Sequence, residues 1–166
     1  MTSRSQVPLR FLPVGLSLDG RDCLVVGGGS VATRKVLTLI RAGATVTVVS
    51  PTLSAELTDF ARSGRLRWLE QRFQSTHLAG AFLVVAATND EALNATIARQ
   101  ASEAGSLACD ASSAERSQVI FGALLDVDEA TVAVFTDGRD PAHARDLRDR
   151  IGNAVKPGHR SSETDG

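Results

Sequence analysis

A chain of 166 residues, 43% of them hydrophobic, suits one domain with a smaller appended element and is long enough to bury a core. Its 18 basic and 19 acidic residues leave a net charge of −1, which sets aside a global attraction to nucleic acid or to a membrane surface, so local groups must meet any anionic ligand. Cys23 and Cys109 lie in apolar runs and read as buried free thiols of a reducing cytoplasm, while His77, His143 and His159 lack ligand spacing, so no metal site is expected. No run approaches the roughly 20 apolar residues of a membrane span, and MTSRSQVPLRFLP lacks the apolar stretch of a signal peptide.

The first element is the short unalternated run Cys23, Leu24, Val25, Val26, which reads as a strand buried on both faces and stops at Gly27, Gly28, Gly29. A helix follows, with Ala32, Val36, Leu39 and Ile40 on one stripe and Gly43 placed to end it. Val46, Val48 and Val49 make the second strand. The spacing Gly27, Gly29, Ala32 fits G-x-G-x-x-G/A, a turn that lets backbone approach a pyrophosphate at a helix N-terminus. Strand and helix context on both sides makes this a dinucleotide-binding turn rather than a plain connector.

Pro51 and Thr52 open a second helix, with Leu53, Leu57, Phe60 and Ala61 on one face and Gly64 at its end. Leu66 to Glu70 reads as a third strand in which Trp68 packs, and residues 73–80 form a connector or short helix. Phe82 to Ala87 is a fourth strand. Asp90 caps the next helix, whose buried stripe is Leu93, Ile97, Ala101 and Ala104. Ser106 to Asp110 makes a fifth strand, completing a doubly wound parallel sheet of Rossmann type. The pattern then changes to two strand-like runs, Gln118 to Leu125 and Ala130 to Thr136, which read as a hairpin. A last helix opens at Asp140 and Pro141 and runs to about Val155. Residues 156–166 have the composition of a disordered tail. The expected organisation is therefore a dinucleotide-binding domain over 1–116, a small α+β element over 117–155 and the tail.

Several stretches in order carry a family likeness: PVGLSLDGRDCLVVGGGSVATRK, VTVVSP, AATND followed by Asn94, and DGRDPAHARDLRDRI. On these the chain resembles the precorrin-2 dehydrogenase family, the sirohydrochlorin-forming domain of siroheme synthases, over roughly residues 8–155. The composition already points to a cytoplasmic protein, and the resemblance implies a homodimer that oxidises precorrin-2 to sirohydrochlorin with NAD, the dimer built by exchange of the segment from Ser117 to about Val155. A hairpin with few sheet partners is marginal alone, which suits pairing across a twofold axis. Some members of the family also insert iron. A non-catalytic NAD(H)-sensing module and a bifunctional dehydrogenase and ferrochelatase stand as alternatives.

Within this frame Gly27, Gly28, Gly29, Ser30 and Val31 lie along the pyrophosphate. The acidic residue that normally ends strand two is replaced by Ser50, which suits a ribose hydroxyl without repelling a 2′-phosphate, so charge does not separate NAD from NADP. Ala87, Thr88 and Asn89 end strand four at the nicotinamide side. Asp90 serves as cap or contact, and Arg34 and Lys35 as phosphate contacts or solvated face.

The family's acid/base aspartate matches Asp110 if two residues are inserted before Val119; an ungapped alignment puts Ser112 there. Asp110 is the favoured catalytic residue, with a capping aspartate as the competing role. The family's Phe-x-x-Pro has become Val119, Ile120, Phe121, Gly122. Arg116, Arg139 and Arg145 are candidates for pairing substrate carboxylates. The family's further C-terminal helical region is only partly matched, so a more open substrate pocket is expected.

Overall fold

The computed structural model describes residues 9–155, and the expected tail lies outside them. Backbone contacts divide the described residues into two compact units, one of residues 14–120 and one that joins residues 9–13 to 121–155.

The larger unit begins with β1, Asp22–Val26, and α1, Ser30–Arg41, followed by β2, Thr45–Val49, and α2, Ala55–Arg62. Then come β3, Arg67–Leu69, a 3₁₀ turn at Ser75–Leu78, β4, Leu83–Ala86, α3, Glu91–Glu103, and β5, Leu107–Asp110. All strand pairs in this sheet are parallel, in the order β3-β2-β1-β4-β5. The order reverses between β1 and β4, so the carboxyl ends of these two strands open a crevice of the kind that binds ligands in open α/β sheets.

The reason for this sheet lies in the apolar runs. Val25 and Val85 have no exposed surface, and Leu24, Val26, Val84 and Ala86 are buried with Ile97, Ala98 and Ala101 of α3 on one face. On the other face α1 buries Ala32, Val36 and Leu39. Strands covered on both sides carry no polar alternation. Gly43, with φ 81°, stops α1, and its N–H reaches Ile40 O at 3.0 Å.

Several expectations shift, most of them by a residue or two at strand ends. α2 starts at Ala55, not Pro51, because Ser54 is its N-cap, accepting from Leu57 N at 3.3 Å, while residues 51–54 pack on the glycine turn. The third strand keeps only Arg67–Leu69, pairing with Thr47–Val49 at the sheet edge. Ala104 is exposed, since α3 has already ended there. Gln118 and Val119 do not begin a strand: both N–H groups donate to Ala108 O, at 2.8 and 3.1 Å, and so cover the open edge of β5.

In the smaller unit β6, Ala123–Val127, and β7, Ala130–Val134, form an antiparallel hairpin with a two-residue turn at Asp128 and Glu129. Here α4, Pro141–Val155, packs on both strands. Asp137 accepts from Arg10 N and Phe11 N, each at 3.4 Å, which ties the N-terminal segment to this unit.

Candidate active site

The glycine turn follows β1 directly. Gly27 has φ 121° and its N–H donates to Val49 O at 2.9 Å, joining the ends of β1 and β2. A Cβ there would overlap the Ala87 carbonyl oxygen and stand 2.7 Å from Ala87 C, so the backbone leaving β4 lies directly against the turn that follows β1. A Cβ on Gly28 would overlap Thr52 O and come within 2.9 Å of Ser50 Oγ. Ser54 N donates to Gly28 O at 2.8 Å and Ser54 Oγ meets Thr33 Oγ1 at 2.9 Å, which pins the loop after β2 against the turn. Gly29 differs: its chain neighbours apart, no atom of the described residues lies within 4 Å of its Cβ position, so the space beside it is open.

Gly29 is also the N-cap of α1, and it supplies no side-chain cap. With no acidic residue in the first turn, the N–H groups of Ser30 and Val31 meet a helix start whose positive dipole end has no carboxylate of its own. A cleft of about 650 Å³ opens here, lined by Gly27, Gly28, Gly29, Ser50, Ala87, Thr88 and Asn89, in the size range of a small-molecule site. Pro51, Thr52, Leu53, Ser54, Arg72 and Phe73 line it too, and sequence reasoning did not assign them. Thr52 and Ser54 follow β2 at the place where a Rossmann site meets its ribose, a signal within reach. Arg72 and Phe73 arrive by the path of the chain after β3, for which no local pattern exists. Among the described residues Arg72 is the one charged residue lining the cleft, and no carboxylate lines it.

Ser50 is 7% exposed, and its carbonyl accepts from Trp68 Nε1 at 2.9 Å. At the other wall Thr88 is held by Asn94, which is 1% exposed. Asn94 Oδ1 accepts from Thr88 N at 3.0 Å and Thr88 Oγ1 at 2.7 Å, and Asn94 Nδ2 donates to Thr88 O at 3.0 Å. Asp90 does cap α3, accepting from Leu93 N at 3.0 Å.

Asp110 is not in the cleft lining. It ends β5 with its side chain fully enclosed, and its Oδ2 accepts from Arg116 Nε at 2.6 Å. Its Oδ1 accepts from Ser112 N at 2.9 Å and Ser112 Oγ at 2.5 Å. The two alignment candidates, Asp110 and Ser112, are thus one hydrogen-bonded pair. Arg116 is half-engaged with this pair, leaving its other face in solvent. Arg139 and Arg145 are exposed residues of the smaller unit.

Behind the site, burial lowers the Lys35 ammonium below its ordinary value, opposed by the nearby Cys109. Burial pushes the Cys109 and Cys23 thiols up to about 11. Both cysteines are free, and among the described residues no cluster of three or more His, Cys, Asp or Glu is placed to hold a metal.

Residues 14–123 match the family described as putative NAD(P)-binding. A solved structure, described as SirC, precorrin-2 dehydrogenase, superposes with a TM-score of 0.77 at 31% identity, covering 88% of this chain and 72% of that one. The chain belongs to the NAD(P)-binding precorrin-2 dehydrogenase family. Among relatives of this family, siroheme synthase 1 of Aeromonas salmonicida is 41% identical over 149 residues, 90% of this chain and 32% of that protein. Siroheme synthase 1 of Yersinia enterocolitica is 43% identical over 141 residues, 85% of this chain and 30% of that protein. The chain spans about a third of the length of these siroheme synthases. Among the described residues no helix is long and apolar enough to cross a membrane.

Proposed function

We propose that this chain is an NAD-dependent oxidoreductase that converts precorrin-2 to sirohydrochlorin in the making of siroheme. The observation that carries this is the open side of Gly29 at an uncapped helix start, facing a cleft at the reversal of strand order, in a chain of this family. Bound NAD supplies a hydride acceptor. Gly27 to Gly29, with the N–H groups of Ser30 and Val31, take the pyrophosphate. Ser50 and Thr52 meet the adenosine ribose, and Ala87, Thr88 and Asn89 wall the nicotinamide end. Asp110 serves as the base, and Arg116, Arg139 and Arg145 pair with carboxylates of the tetrapyrrole.

The same reading makes the protein a cytosolic homodimer joined through the hairpin and α4, with neither nucleic acid nor membrane as partner. Gel filtration that returns a monomer at micromolar concentration would overturn the dimer. One observation favours a second reading, an NAD(H)-sensing module: the Asp110 carboxylate is enclosed and ion-paired. Turnover separates the two. Purified chain with NAD and precorrin-2 yields NADH and the sirohydrochlorin spectrum if it is the dehydrogenase; coenzyme binding without turnover identifies the sensor.

A further inference from the structure

We infer that the group meeting the substrate beside β5 is the Ser112 hydroxyl, which passes a proton to the Asp110 carboxylate behind it. This rests on the dehydrogenase reading above. Asp110 has no exposed side-chain surface, whereas Ser112 is exposed. A tetrapyrrole arriving at this end of the sheet touches the hydroxyl before it touches the carboxylate.

The hydroxyl is also aimed. Ser112 Oγ accepts from Asn94 Nδ2 at 3.3 Å and from Arg116 Nη2 at 3.3 Å, so its one proton points to Asp110 Oδ1 at 2.5 Å. The two incoming bonds are long, and either yields a lone pair to an arriving proton. The bond to Asp110 is short, as expected for a hydroxyl donating to a charged oxygen.

Asn94 sets this pair at the cofactor wall. The amide that donates to Ser112 also donates to Thr88 O and, through its oxygen, holds Thr88 N and Oγ1. Thr88 lines the cleft. One buried side chain therefore links the nicotinamide end of the cleft to the proton-accepting pair, and Asn94 is a positioning residue.

The step balances without another reactant. With NAD held in the cleft as hydride acceptor, loss of a hydride to it would remove two electrons and leave the macrocycle cationic. A ring C–H bond then breaks, its electron pair stays in the conjugated system, and its proton goes to Ser112 Oγ. The Ser112 O–H bond breaks in concert, its proton passing to Asp110 Oδ1, and Asp110 later releases that proton to water. A proton beside a cationic conjugated system is acidic, so a carboxylate can accept it through the hydroxyl.

The test uses Ser112→Ala and Ser112→Thr in the full chain, with kcat, the solvent deuterium isotope effect and calorimetric NAD affinity as readouts. Ser112→Ala should lower kcat by about 100-fold and remove the solvent isotope effect while leaving NAD affinity unchanged. Ser112→Thr keeps the hydroxyl and should restore most of the rate, which a merely structural role for Ser112 does not require. Wild-type kcat in Ser112→Ala, or a Thr variant as slow as the Ala variant, overturns the relay while the dehydrogenase reading stands. A wild-type chain that makes no sirohydrochlorin overturns both.

Discussion

Replacing Gly27 by Ala tests whether the turn is packed as described. The added methyl would overlap the Ala87 carbonyl oxygen and lie 2.7 Å from Ala87 C and 3.2 Å from Thr88 N, all backbone atoms that no side-chain rotation moves. The residue also holds φ 121°, a conformation that alanine adopts at a cost of about 1–3 kcal/mol. Overpacking at a well-filled site adds about 1–3 kcal/mol. For a chain of this size each kcal/mol lowers the melting temperature by roughly 2–4 °C, so a fall of about 5–20 °C is expected by calorimetric melting.

Gly29→Ala is the matched control. Gly29 has φ −87° and ψ −169°, ordinary extended backbone, and, its chain neighbours apart, no atom of the described residues lies within 4 Å of its Cβ position. Its melting should stay within about 0.5 kcal/mol of the parent, yet the methyl occupies the phosphate approach and should weaken NAD at least about tenfold, or 1.4 kcal/mol. An unchanged melting temperature in Gly27→Ala refutes the packing argument. Parental NAD affinity in Gly29→Ala refutes the phosphate approach.

Asn94→Ala strips Thr88 N and O of their partner and should cost about 2–3 kcal/mol in urea unfolding and weaken NAD; Asn94→Asp should not rescue it, because a carboxylate cannot donate to Thr88 O. Arg116→Ala leaves the enclosed Asp110 carboxylate without its cation and should cost about 3 kcal/mol, near the low end for a broken buried pair because the Arg116 side chain is 39% exposed. Urea midpoints within about 0.5 kcal/mol of the parent contradict either account. The raised thiols make a pH prediction. Their folded values are near 11 against an ordinary 9.0, so their contribution is complete below pH 9 and is lost as pH rises toward 11. Urea unfolding across that window should show a smaller stability loss in the Cys23→Ala, Cys109→Ala double variant than in the parent, and an equal loss contradicts the burial argument.

The larger unit was legible because its strands are buried on both faces, and such strands announce themselves as unbroken apolar runs: Leu24–Val26 and Leu83–Ala86 need no tertiary information. The glycine turn was legible for a related reason, since Gly27 and Gly28 each answer a backbone approach that admits no side chain, while Gly29 leaves open the space beside the helix start. What was missed depends on contacts between distant segments. Pro51 and Thr52 look like a helix start, but Ser54 takes the cap because its N–H and hydroxyl are held by Gly28 and Thr33. Gln118 and Val119 have strand-forming neighbours, yet their N–H groups close the edge of β5 at Ala108. The choice between Asp110 and Ser112 was unreadable in one dimension. Two residues apart in a tight turn, they share two hydrogen bonds, and only the third dimension shows which is enclosed and which is exposed.

The most direct measurement is a calorimetric titration of the purified chain with NAD and with NADH. One coenzyme per chain should bind, and Gly29→Ala should lose most of that affinity while keeping its fold. Absence of heat with both coenzymes, from a chain that melts cooperatively, would contradict the claim that the turn after β1 cradles a dinucleotide.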